Sequence, residues 1–144
     1  MKAKKSGFTL VEILIVVVIL GILAAIVIPQ FTEASTEAKT SRLCTDLQTM
    51  RSQIELYKIQ HNDELPGAGE ATFIEAMTGQ TDVTGAVGGT YGPYVKKIPT
   101  NAFNDLDTIE EEAVDTGLGG GNAGWHFNNV TGDFHADTDA HVGL

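Results

Sequence analysis

The sequence predicts an α+β protein: a long N-terminal helix, hydrophobic and then amphipathic, packed on a small antiparallel β-sheet. Three observations carry this. An unbroken apolar run extends from Ile13 to Ile28. Beyond it, Leu43, Leu47, Met50, Ile54 and Tyr57 step by four, three, four and three, which places them on one helix face. Near the end of the chain, Gly124–Asn128 and Asp133–Asp137 read as two strands around Asn129-Val130-Thr131-Gly132.

The helix comes first. Phe8 to Ile28 is 21 residues. At about 1.5 Å per residue it reaches roughly 30 Å, the thickness of a bilayer core. Lys2, Lys4 and Lys5 lie only on its N-terminal side, so the expected orientation is N-in, C-out. A cleaved secretory signal fits poorly, because the apolar run is long and no Ala-x-Ala follows between Ala24 and Thr40. A plain anchor leaves Glu12 unexplained. A carboxylate inside an apolar span costs several kcal/mol and marks a functional position. Glu12 is expected to have no partner in its own helix beyond the nearby terminus.

Ser6-Gly7-Phe8-Thr9-Leu10-Val11-Glu12, followed by an apolar helix, resembles the signal of type IV pilins and type II secretion pseudopilins. That resemblance implies cleavage by a prepilin peptidase after Gly7, on the cytoplasmic side, and N-methylation of the new terminus, Phe8. Glu12 becomes the fifth mature residue, with an implied role in filament assembly. Gly21 and Pro29 match the family's helix-weakening positions. The implied organisation is a basic prepilin leader (1–7), a transmembrane and filament-core helix (8–31), the amphipathic half of the same helix (32–61) and a globular, pilin-like head (62–144).

Charge supports a soluble, self-repelling head. The chain carries a net charge of −10, and without the leader's three lysines six basic residues face 19 acidic ones. From Asn62 onward the only basic residues are Lys96 and Lys97. Such a surface excludes nucleic acid, which needs a basic patch. Cys44 is the only cysteine, so the chain has no intramolecular disulfide and lacks the cysteine-closed loop of many type IV pilins.

The remaining elements follow in order. The helix should continue past Pro29, since proline removes one backbone bond and neighbours can restore the contacts. Leu56 and Ile59 fall off the stripe, either as scattered surface residues or as a subunit contact; Cys44, at its edge, reads as a small core residue. Asn62-Asp63-Glu64-Leu65-Pro66-Gly67 ends the helix. Glu70–Met77 reads as a short helix and 78–89 as a loop. Gly92-Pro93-Tyr94 resembles the stretch before the sheet in major pseudopilins, although their Asp-Pro-Trp-Gly is replaced by Asn101-Ala102-Phe103-Asn104. Asn104–Asn122, with Asp105, Asp107, Glu110, Glu111, Glu112 and Asp115, reads as a mobile acidic loop. A third strand is expected near the C-terminus or around Tyr94–Ile98, because a lone hairpin is marginal.

The chain shows no nucleophile–base–acid pattern and no phosphate loop, so no enzymatic activity is expected. His126 and His135 face each other if the hairpin loop has four residues and do not if it has three. On their own they read as solvated strand histidines, and zinc would need more ligands. The resemblance to major pseudopilins allows a calcium ion at the acidic loop, with no ligands assigned; a solvated charge run is the plain reading. The resemblance implies a structural subunit of the type II secretion pseudopilus, held in the bacterial inner membrane and then polymerised into a periplasmic or cell-surface filament. Its implied partners are further copies of itself, the prepilin peptidase, a platform protein, an assembly ATPase, and minor pseudopilins or pilins. Two alternatives stay open: a type IV pilus pilin for adhesion or motility, and a monomeric membrane-anchored binding module.

Overall fold

The computed structural model describes residues 7–113 and 119–144. A single helix, α1 (Leu10–Gln60), runs through Pro29 without a break. Two compact units divide the chain, one ending at Ala38 and the other comprising Lys39–Leu144.

In the first unit, α1 is apolar on every side. From Leu10 to Ile28 its large side chains are all at least 42% exposed, so this unit has no core of its own. A segment of this length and hydropathy meets the requirements of one membrane span.

In the second unit, α1 supplies the centre of a core. Leu43, Leu47, Met50, Ile54 and Tyr57 are all 0–1% exposed, on the face the four-three spacing selects. Leu56 and Ile59 lie on the outside, at 40% and 75% exposure. α1 ends through a left-handed turn at Asn62 and Asp63, whose φ angles are 55° and 66°. Asp63 N–H donates back to the Lys58 carbonyl at 2.9 Å, capping an open helix end. The short helix α2 (Phe73–Thr78) buries Phe73, Ala76 and Met77. The Phe73 ring lies 4.4 Å from that of Phe127 and 6.1 Å from that of Phe134, joining α2 to the sheet.

The sheet has three strands in spatial order: β1 (Ile109–Glu112), β2 (Trp125–Asn128) and β3 (Phe134–Ala136). β2 and β3 form the expected antiparallel hairpin, with Phe127 opposite Phe134 and His126 opposite His135. The loop therefore has four residues. Asn128 Oδ1 accepts from Val130 N and Thr131 N at 2.9 and 3.0 Å, and Gly132 closes the turn at φ +83°.

The fold class is the predicted one, but the sheet is mixed. Its third strand is Ile109–Glu112, parallel to β2, and neither Tyr94–Ile98 nor the C-terminus supplies it. The Ile-Glu-Glu-Glu stretch was expected in a mobile loop. All four residues of β2 are buried, so both of its edges need backbone partners. β1 satisfies the second edge while Ile109 packs on the core. Asp115, in the same acidic stretch, lies outside the described residues, as do the leader lysines.

The Glu111 carboxylate lies against the backbone at Gly67, where a Cβ would come within 3.2 Å of Oε2. Glu111 is the exposed residue of β1, and the partial desolvation it does undergo there raises its pKa above the usual glutamate range. A carboxyl with a raised folded pKa holds its proton more tightly folded than unfolded, so ionisation destabilises the fold at neutral pH. Glu111→Gln should therefore raise the melting temperature in neutral buffer, and the gap should close below about pH 4, where glutamate is protonated in both states. An equal or lower melting temperature at neutral pH would show that solvent screens this carboxylate and that its desolvation does not weaken the fold.

Candidate functional site

The chemistry singled out by the sequence lies at the start of α1. Gly7 and Phe8 are exposed ahead of the helix, Phe8 at 80%. A Cβ built on Gly7 would meet nothing within 4 Å, so packing in this chain does not require the glycine there. Thr9 is the residue before the helix, and Glu12 is the third residue within it.

These two side chains close on each other. Glu12 Oε2 accepts from the Thr9 backbone N–H and from the Thr9 hydroxyl, both at 2.9 Å. Glu12 N–H in turn donates to Thr9 Oγ1 at 3.2 Å. This is a capping box, Thr9-Leu10-Val11-Glu12, in which side chains satisfy N–H groups that a helix start leaves open. The expectation that Glu12 lacks a partner in its own helix is therefore corrected. The Thr-x-x-Glu spacing was visible in the sequence, and it recurs at Thr72-Phe73-Ile74-Glu75, where the same reciprocal bonds start α2. The negative carboxylate also sits at the positive end of the helix dipole.

Gly21 and Pro29 lie within the continuous helix. A Cβ at Gly21 would be in open space. Pro29 offers no N–H, and just beyond it the Thr32 hydroxyl donates to the Ile28 carbonyl at 3.1 Å.

The histidines do not form a site. His126 is fully buried, which corrects its reading as a solvated strand residue; His135 is half-buried and its Nδ1 donates to the Val142 carbonyl at 3.2 Å. Glu110, His126 and His135 share one row across the sheet. Even so, among the described residues no three His, Cys, Asp or Glu side chains come together as a metal group, and no calcium ligand is assigned. His61 is also buried, its ring stacked on Tyr57 at 3.7 Å and its Nε2 2.9 Å from Thr81 Oγ1. Tyr94, whose hydroxyl donates to Gln60 Oε1, has its pKa pushed up to about 12 by burial. These groups tie the loop after α2 to the end of α1.

Comparison with known proteins starts from the same N-terminal segment. The Prokaryotic N-terminal methylation motif matches residues 2–28. The Type II secretion system core protein G of Vibrio cholerae is 32% identical over 104 residues, covering 71% of this chain and 68% of that one. The chain belongs to the core protein G family of the type II secretion system. The Pseudomonas aeruginosa core protein G is 42% identical over 60 residues, or 42% of either chain, so the match spans less than half of that relative. The Type IV major fimbrial protein FimA of Dichelobacter nodosus is 47% identical over 55 residues, 38% of this chain and 35% of that one. No solved structure matches. In this core protein G family member, the methylation motif coincides with the exposed Gly7–Phe8 junction, the Thr9–Glu12 box and the apolar unit of α1.

Proposed function

We propose that this chain is a structural, non-catalytic subunit of the type II secretion pseudopilus. It is held in the inner membrane by the apolar half of α1, N-in and C-out. It is cut after Gly7 and methylated at Phe8 by the prepilin peptidase, then drawn into a helical homopolymer by a platform protein and an assembly ATPase. Gly21 and Pro29 ease bending of the helix during that transfer. The observation that carries the reading is the 104-residue match, which is too long to be confined to the apolar segment and reaches into the head. The alternative, a type IV pilus subunit, draws on the fimbrial match, which spans only 55 residues.

The test is made on the full chain, expressed with a type II secretion machinery. The intact mass should correspond to a chain beginning at methylated Phe8, and sheared cells should yield filaments of this chain. A terminus at Met1 would remove the processing step. Processed chain that stays monomeric in the membrane would favour an anchored binding module. Normal export by cells lacking the gene, together with lost surface motility, would favour the pilus.

A further inference from the structure

We propose that the cleft lined by Ile74, Thr78, Lys96, Lys97 and Ile98 docks on the acidic surface of a second copy of this chain. The cleft has a volume of about 390 Å³. Ile98 is 6% exposed and forms an apolar floor, while Ile74 is 46% exposed on the outer side of α2. Lys96 and Lys97 are both exposed at its rim. Among the described residues neither ammonium forms an ion pair, although Asp107 lines the same cleft.

The occupant follows from charge. From Lys39 to the end, 16 acidic residues face six basic ones; Arg42 and Lys58 are paired with Asp46 and Glu55, Arg51 is bound to the Phe134 carbonyl and Lys39 lies over the Phe103 ring, which leaves Lys96 and Lys97. Two such heads brought side by side repel each other unless the basic cleft of one meets carboxylates of the other. Attraction across an apolar floor, from which a partner displaces water, is stronger than between charges free in solvent. The contact also has a defined symmetry. A basic cleft cannot pair with its own copy across a two-fold axis, because lysines would meet lysines. It can pair only with a different, acidic patch, and such head-to-tail contacts build an open helical filament wherever the rotation between copies does not close into a ring. This inference rests on the polymer reading above and assigns that polymer one of its two complementary surfaces.

The experiment uses the full chain in cells with an assembling secretion machinery. A photo-reactive amino acid at Ile74 should give a product of twice the subunit mass, both halves identified as this chain by peptide mass. Lys96→Glu with Lys97→Glu should lower filament number by about tenfold or more, as like-charge contacts do. Leader removal and the unfolding transition of the buried Trp125 should be unchanged. Lys96→Arg with Lys97→Arg should assemble normally. Normal filament number from the charge-reversed chain, or a cross-link from Ile74 to a different protein, overturns the proposal while leaving the polymer intact. A wild-type chain that forms no filaments overturns both. Should the reversed chain fail to fold, Lys96→Gln with Lys97→Gln and the Ile74 cross-link decide between the same outcomes.

Discussion

Gly7→Val should leave the leader attached. Gly7 is exposed ahead of α1, and an added Cβ meets nothing in its own chain, so the substitution leaves this fold intact. Any effect must then arise where another protein reads the junction. A peptidase that closes on the glycine has no room for a branched side chain, and one misplaced reacting bond costs orders of magnitude in rate. Intact-mass measurement should give a full-length chain for the variant and a shortened, methylated one starting at Phe8 for the wild type. Membrane insertion should be the same in both, because the apolar run is untouched. Since cleavage exposes the Phe8 amine, the variant should also form no filaments. Complete processing of Gly7→Val would show that the junction lies elsewhere.

Glu12→Leu should leave insertion and leader removal intact and abolish filaments. Within one chain the carboxylate is bound by Thr9, through two bonds of 2.9 Å. That local contact lowers the cost of holding a carboxylate in the apolar segment. It does not neutralise the charge. In a bundle of staggered subunits, the methylated Phe8 amine of a neighbour can take up the opposite charge in a water-poor environment, where an unpaired ion is costly. Pairing of this kind favours correctly staggered neighbours over random ones, as single buried polar residues do in coiled coils. The capping box adds a condition: the incoming amine must share the carboxylate with Thr9 or displace it. Leucine removes the charge and strengthens the apolar run, so the mutant should accumulate as processed, membrane-held monomer. Counting filaments by electron microscopy, with the N-terminus verified by mass, decides this. Filament numbers equal to wild type would show the carboxylate to be dispensable.

Ile54→Ala has a smaller but measurable expected effect. Ile54 is 1% exposed in the core of the second unit. Truncation should cost about 2–5 kcal/mol, the range for deleting a buried aliphatic side chain. Trp125, the only tryptophan and fully buried, reports unfolding of the processed chain in detergent. An unchanged transition would remove Ile54 from the core.

The sequence by itself determined whatever depends on short-range periodicity or on local chemistry. The apolar run, the four-three stripe from Leu43 to Tyr57, and the aromatic hairpin required no knowledge of distant contacts. Each is a repeat of side chains along one element. The Gly7–Glu12 junction was legible for the same reason. The Thr9-Leu10-Val11-Glu12 capping box is local chemistry of the same kind, a Thr-x-x-Glu spacing within one helical turn. The tertiary structure alone decided the rest. Ile109–Glu112 carries no strand signal in its side chains; it becomes β1 because buried β2 leaves an edge whose N–H and C=O groups must be paired. His126 is buried by the sheet and not by its own polarity. Arg51, on the same helix, donates to the Phe134 carbonyl at 3.0 Å across 83 residues of sequence. Asn101, fully buried, donates to the Gly124 carbonyl at 2.8 Å and accepts from Phe103 N at 2.9 Å. Such bonds satisfy backbone groups that only the packed fold removes from water, so no pattern along the chain announces them.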